Sequence, residues 1–314
     1  MLDPNCKYRK GEFVEHPKKE LGWGTGVVIE DHRGDVVKVF FENEPNIKTL
    51  KPSYVVLNKI SDPGKARHFL ENALVEEESI RKGDRVPFPK LLAKFLEDFP
   101  GGFKGKLLNE YERKYKLEAH EWLMKHLSKA QWAQYLARND FDTLAQEIKR
   151  LYGKTNLLSS FEMIKLNDAL KVDRAKEDIC LALFDLLYGE GIIKNRFENT
   201  ATILGRYEID KWTTLTYPLF MSNPNKYMFV KPTMTQEAAS NRGFDIHYSP
   251  DVNWNTYKHI LVFSEDLFSR LAESENEDLH PKDMIDVQSF MWCAFTNSWT
   301  REDITNAKAK LELT

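Results

Sequence analysis

The chain has 314 residues, 42% hydrophobic, 12% aromatic and 30% charged, a composition that fits a globular protein and excludes general disorder. Its formal net charge of −3 does not indicate a polyanionic partner for the chain as a whole. Cys6, Cys180 and Cys293 lie far apart without CxxC spacing, which argues against a disulfide framework and a structural zinc site. With no apolar leader and no long apolar run, we expect a cytoplasmic protein that does not enter a membrane.

The first 60 residues have the pattern of short β-strands. The predicted strands are residues 12–15, 26–30, 35–41, 47–50 and 54–57. The four-residue turn at 31–34, which ends in Gly34, joins two β-branched runs and predicts a hairpin. Five short strands in about 50 residues can bury their apolar faces by curling into a small barrel.

These strands resemble the small Tudor-like barrel at the C-terminus of UvrD/PcrA-type helicases and, more loosely, the polymerase-interacting modules of the CarD and Mfd kind. The matching stretches are residues 10–17 (KGEFVEHP), 23–28 (WGTGVV), 37–41 (VKVFF) and 48–50 (KTL). The resemblance implies a docking barrel with RNA polymerase as its partner. Here the barrel is N-terminal, and no GxxxxGK[ST] loop accompanies it, so the ATPase context of those helicases is missing.

Beyond residue 60 the hydrophobic period changes from two to about 3.6, which predicts helices. We expect a linker at 61–65 and a helical domain at 66–314, with a possible sub-boundary near 204–212. The predicted helices are residues 66–79, 89–99, several within 104–152, 160–170, 173–188, 233–241, 253–272, 281–295 and 301–313. Residues 211–232 contain three prolines and predict an irregular or extended connection. Parts of this domain resemble an uncharacterised bacterial helical module, which implies no particular activity.

The helix predicted around residues 283–292 is apolar on nearly all sides, so Asp286, Gln288 or Ser289 should be carried into the interior. A buried carboxylate must be paired, hydrogen-bonded or protonated. One interpretation is an active-site acid, for which Asp286, Gln288, Lys231 and His247 are the candidates. The interpretation that we favour is a polar residue that fixes the register of the helix by bonding Lys, Arg or backbone.

Five basic residues interleaved with aromatic ones form a candidate nucleic-acid face. They are Lys104, Lys106, Arg113, Lys114 and Lys116. A solvated helix face explains the same pattern, because Glu110, Glu112 and Glu118 lie among the bases and partly cancel their charge.

The sequence therefore predicts an α+β, mainly α-helical protein with a small N-terminal Tudor-like β-barrel at residues 1–60. The leading hypothesis is a non-enzymatic adaptor that docks on a nucleic-acid machine, with RNA polymerase as the partner that the resemblance suggests, through Trp23, Lys38, Phe40 and Lys48. The alternatives are a component of a nucleic-acid-processing or phage-defence enzyme with its site in the helical domain, and a protein that binds DNA or RNA directly. No cofactor or metal is expected.

Overall fold

The computed structural model describes residues 6–44, 47–66, 70 and 86–312. The protein is mainly helical, and its N-terminal segment forms one small, open antiparallel sheet of five strands. The expected combination of an N-terminal β module with a larger helical body is confirmed at this level. The helix predicted at residues 66–79 lies largely outside the described residues.

The sheet has the strand order β4-β3-β2-β1-β5, and each neighbouring pair is antiparallel. Its strands are β1 (Phe13–Glu15), β2 (Thr25–Val28), β3 (Val37–Phe41), β4 (Lys48–Leu50) and β5 (Asn58–Ile60). The predicted hairpin is confirmed as β2 and β3. The strand predicted at residues 54–57 is wrong, because the amides of Tyr54 and Val55 bond the carbonyl of Lys51 in a turn and sheet pairing begins only at Asn58.

The two faces of the sheet bury different sets of side chains, as the two-residue period of a strand requires. Phe13, Val27 and Phe40 lie opposite one another across β1, β2 and β3 and belong to the core of the helical body. The alternate residues, including Val28 and Phe41, pack into a separate small core on the other face. The sheet is thus covered on both sides, and one of those sides is shared with the helices.

A buried ion pair joins the sheet to the helical body beside this shared core. Nη1 of Arg270 lies 2.5 Å from Oε2 of Glu42, at the end of β3, and Nε of Arg270 bonds Asp266 at 2.8 Å. Nη2 of Arg242 donates to the backbone carbonyl of Glu42 at 2.9 Å. Burial raises the pKa of the Asp266 carboxyl, while Arg270 opposes that shift. Apolar packing and a desolvated salt bridge therefore both attach the sheet to the helices.

The helices follow one another closely from residue 88 onward. They are α1 (Phe88–Asp98), α2 (Lys106–Leu108), α3 (Lys114–His126), α4 (Lys129–Ala137), α5 (Phe141–Tyr152), α6 (Ser160–Ala169), α7 (Asp173–Tyr188), α8 (Ile193–Gly205), α9 (Trp212–Ser222), α10 (Pro232–Arg242), α11 (Trp254–Ala272), α12 (Met284–Phe295) and α13 (Arg301–Lys310). A π-helical turn, Asn109–Arg113, joins α2 to α3. None of the helices within the described ranges is both long and apolar enough to cross a membrane.

The prediction of an irregular connection at residues 211–232 is wrong for its first half, which forms the buried helix α9 around Pro218. A proline inside a helix lacks the N–H that would bond the carbonyl four residues earlier, here that of Thr214. The hydroxyl of Tyr152 donates to this carbonyl at 2.7 Å and replaces the missing partner. A tertiary hydrogen bond thus allows the helix to continue through the proline.

Candidate functional site

A buried cluster of charged side chains lies between the π-helical turn and the start of α12. Nη1 and Nη2 of Arg113 donate to the two carboxylate oxygens of Asp283 at 2.8 and 2.6 Å, and Nη1 also donates to Asp286 Oδ1 at 2.7 Å. The second oxygen of Asp286 accepts from the backbone N–H of Lys282 at 2.8 Å. Asp283 caps α12 by accepting from the amide of Ile285 at 2.9 Å. Arg113 therefore fixes the position at which α12 begins.

The electrostatics of this cluster follow from its burial. Desolvation raises the pKa of Asp286, and Arg113 and the Lys282 amide oppose that shift. The two aspartates raise the pKa of Arg113, which is desolvated but remains a guanidinium cation. The expected burial of Asp286, Gln288 and Ser289 is confirmed, since their exposed fractions are 0%, 1% and 0%. The bonds of Asp286 to Arg and backbone are those that a register-fixing residue would make.

A second buried pair continues the cluster along α12. Nζ of Lys116 donates to Glu112 Oε2 at 3.1 Å and to Ser289 Oγ at 2.9 Å. Nε1 of Trp299 donates to the other oxygen of Glu112 at 2.9 Å. Lys116 is completely buried, and desolvation lowers the pKa of its ammonium against the opposing effect of Glu112. These hydrogen bonds connect α3 to α12. They also give partners to polar groups that would otherwise be buried without any.

This arrangement contradicts the prediction of a nucleic-acid face formed by five basic residues between 104 and 116. Arg113 and Lys116 are buried in ion pairs and cannot contact a phosphate from the surface. Lys104 and Lys114 are exposed and pair with Glu277 and Glu110 at 3.0 and 2.6 Å, while Nζ of Lys106 donates to the carbonyl of Leu311 at 3.3 Å. The five basic residues do not form one surface. Local sequence could not predict the burial of Arg113, because its partners are 170 or more positions away.

A small cavity of about 110 Å³ lies next to the Lys116–Glu112 pair. It is lined by Tyr111, Glu112, Tyr115, Asn156, Leu157, Lys231, Gln288 and Trp292. Nζ of Lys231 lies 4.4 Å from the centre of the Trp292 ring, which is a cation–π contact. Gln288 is buried, and its Oε1 has no hydrogen-bond partner. Two of the four residues proposed for an enzyme site, Lys231 and Gln288, therefore meet in one cavity.

The other two residues of that proposal lie elsewhere. Asp286 is occupied by Arg113 and is not part of the cavity lining. His247 is exposed, with its Nδ1 2.8 Å from Asp245 Oδ2 and its ring against His259. Within the part of the chain that the structure describes, no group of three or more His, Cys, Asp or Glu side chains could hold a metal ion.

A larger groove, of about 310 Å³, lies on the sheet module around Trp23. Its lining is Glu15, His16, Lys18, Lys19, Gly22, Trp23, Gly24, Thr25, Glu42 and Asn43. The half-buried ring of Trp23 packs between His16 and Phe41, at centroid distances of 4.7 and 5.2 Å. Nζ of Lys48 lies 5.0 Å from the centre of the Trp23 ring. We call this surface the Trp23 groove.

Glycines on either side of Trp23 make the groove possible. Gly22 and Gly24 have φ values of +67° and +70°, which are accessible to glycine without steric cost. A Cβ atom on Gly24 would also lie 2.5 Å from Cγ of Glu42. The chain therefore bends sharply at both positions and presents Trp23 at the surface.

The four predicted partner contacts are not together. Lys48 contacts the ring of Trp23 but is not part of the groove lining, whereas Lys38 pairs with Glu30 at 3.1 Å on the strand face that also carries Phe40. Phe40 is 1% exposed and packs in the core shared with the helical body, so it is not available to a partner. Sequence reasoning assigned Phe40 to the surface because the alternation of a strand does not show which face a second domain covers. The same reasoning did not identify His16 as a neighbour of Trp23.

Comparison of the sequence with protein-family models and with curated proteins, and of the fold with solved structures, finds no significant match.

Proposed function

We propose that the protein is a non-enzymatic adaptor that docks on a protein partner through the Trp23 groove of a Tudor-like N-terminal module. The observation that carries this proposal is the half-buried tryptophan held between His16 and Phe41 in a groove of about 310 Å³. Tryptophan is enriched among residues that dominate binding energy, particularly when a pocket surrounds it. The resemblance to helicase and CarD-like barrels suggests a nucleoprotein machine, such as RNA polymerase, as the partner.

The open edge of the sheet offers a second element of the same docking surface. β4 is an edge strand in the described sheet, and Lys48, at its start, contacts Trp23. An extended peptide can add to such an edge by main-chain hydrogen bonds while a side chain enters a neighbouring pocket. A partner strand placed beside β4 would therefore have the Trp23 groove within reach of its side chains.

Because the sheet is attached to the helices, docking through the sheet would also position the helical body. Because the sheet shares a core with the helical body and Glu42 pairs with Arg270, a partner bound at Trp23 also receives the helical body in a defined orientation. An adaptor requires this property, since it has to hold one surface relative to another.

The test is quantitative affinity purification of the tagged full chain, with Trp23→Ala and Tyr54→Ala compared. Tyr54 is an exposed aromatic residue on the same module, which makes its substitution a matched control. We expect a nucleoprotein complex to be recovered with the unmodified chain, to fall by about tenfold or more with Trp23→Ala, and to be retained with Tyr54→Ala. Failure to recover any such partner, or an equal loss in both variants, would refute the proposal.

Direct binding of DNA or RNA through residues 104–116 has less support, because Arg113 and Lys116 are buried. A steep fall of binding with salt, dependent on Lys104 and Lys114, would restore that function. The enzyme alternative has one observation in its favour, the cavity where Lys231 and Gln288 meet. A Lys231→Ala variant that folds normally and loses an enzymatic activity would favour chemistry at this cavity, and one that unfolds would favour a structural role.

A further inference from the structure

The cavity beside α12 contains a polar group whose hydrogen bonding is incomplete. Gln288 is 1% exposed, its Oε1 has no partner, and its Nε2 reaches only the sulfur of Met234, at 3.6 Å. A buried amide oxygen without a donor costs free energy comparable to a lost hydrogen bond. The site therefore lacks a hydrogen-bond donor, and a molecule in the cavity can supply one.

Lys231 is the opposite case, a hydrogen-bond donor that lacks an anionic acceptor. Its ammonium lies over Trp292 at the cavity wall, and it has no carboxylate partner among the residues that the structure describes. Glu112, the one acidic residue of the lining, is already occupied, because Lys116 and Trp299 donate to its two oxygens. Besides Asn156 at the mouth and the tyrosine hydroxyls, the polar groups of the lining that can recognise a ligand are thus a cationic donor, Lys231, and a neutral acceptor, Gln288.

The size and position of the cavity limit what can enter. A cavity of about 150 Å³ lined by apolar groups can hold the six heavy atoms of benzene, so 110 Å³ accommodates a molecule of about four to five heavy atoms. Asn156 is exposed and marks the mouth, while Leu157 and Gln288 are buried. The inner wall includes Tyr111 and Glu112 from the π-helical turn, and such turns occur frequently at functional sites.

We propose that this cavity binds a small polar molecule in which an N–H donor lies close to an anionic or carbonyl oxygen, the pattern of a small amino acid or carboxamide. The N–H group donates to Oε1 of Gln288, and the oxygen accepts from Nζ of Lys231. The aromatic side chains of Tyr115 and Trp292 contact the remaining carbon atoms. This site is separate from the Trp23 groove, and the adaptor function does not depend on it.

The experiment is a calorimetric or ligand-observed NMR titration of the full chain with glycine, acetamide and acetate. Saturable binding is expected for glycine or acetamide, and acetate, which has no N–H donor, should bind about tenfold or more weakly. The tighter of the two binders identifies the source of the chemistry, an ammonium–carboxylate pair or an amide.

Variants then test the two contacts. Lys231→Met and Gln288→Leu should each weaken binding about tenfold or more, because each removes one hydrogen bond to the ligand. Lys226→Met is the matched control, since Lys226 also lies over an aromatic ring, that of Tyr227 at 5.1 Å, and is not part of the cavity lining. The proposal is overturned if neither glycine nor acetamide binds saturably, if acetate binds as tightly as they do, or if either cavity variant binds like the control.

Discussion

Replacing Arg113 with methionine should destabilise the protein more than replacing Asp286 with asparagine. Arg113→Met removes three charged hydrogen bonds, of 2.6–2.8 Å, and leaves Asp283 and Asp286 facing each other without the cation. Breaking a buried pair by removing one partner costs about 3–5 kcal/mol. We therefore expect the free energy of unfolding to fall by about that amount.

Asp286→Asn is a milder change to the same cluster. The asparagine keeps an oxygen for Arg113, but its amide nitrogen faces the backbone N–H of Lys282, so one 2.8 Å hydrogen bond is lost. A buried donor left unsatisfied costs about 1–3 kcal/mol. Burial already raises the pKa of Asp286, so a neutral side chain relieves part of the desolvation cost and we expect the low end of this range.

Urea unfolding at neutral pH, followed by far-UV circular dichroism and tryptophan fluorescence, measures both variants. Lys114→Met is the control, because Lys114 is exposed, one position from Arg113, and its solvent-screened pair with Glu110 should contribute little to stability. Coincident transitions from the two probes are needed before the midpoints are compared. If Asp286→Asn destabilises as much as Arg113→Met, then Arg113 is not the group that offsets the buried carboxylates.

Three further outcomes test the sheet and the C-terminal helix. Gly26→Ala should lower the free energy of unfolding by about 1–3 kcal/mol, because the added Cβ would lie 2.6–2.7 Å from side-chain atoms of β3; an unchanged thermal midpoint would contradict this contact. Glu42→Gln removes the charge that Arg270 contacts at 2.5 Å, so amide hydrogen exchange should accelerate more in the sheet than in the helical body; equal acceleration in both would count against the coupling. Hydrogen bonds from the hydroxyl and the amide of Thr300 lower the pKa of Asp303. The stability that this cap contributes is therefore fully present above the ordinary Asp pKa of about 3.9, and it is lost as the pH falls through the lowered pKa of Asp303. When urea midpoints are measured over a series of pH values, Asp303→Asn should abolish this loss of stability at acid pH. If the midpoints of the variant depend on pH as those of the unmodified chain do, the cap contributes nothing.

Local patterns were sufficient for much of the architecture. The β-branched runs on either side of a turn that ends in glycine predicted the β2–β3 hairpin. The segment at 283–292 has apolar residues on nearly all sides of a helix, which predicted that Asp286 would be buried. In each case the residues that make up the pattern lie close together in sequence, although the partner that Asp286 finds once it is buried, Arg113, does not.

Tertiary structure decided the features that depend on distant partners. Arg113 and Lys116 belong to a stretch that is typical of a solvated helix face, and they are buried because Asp283, Asp286 and Ser289, 170 or more positions later, complete their hydrogen bonds. Helix α9 continues through its proline because Tyr152 supplies the missing donor. The sequence by itself determined most of the helical segments, the β2–β3 hairpin and which residues are apolar enough to be buried. Which face of the sheet the helical body covers, that Arg113 and Lys116 lie inside, and that residues 212–222 form a helix was decided by long-range packing, because these features depend on groups that no local pattern contains.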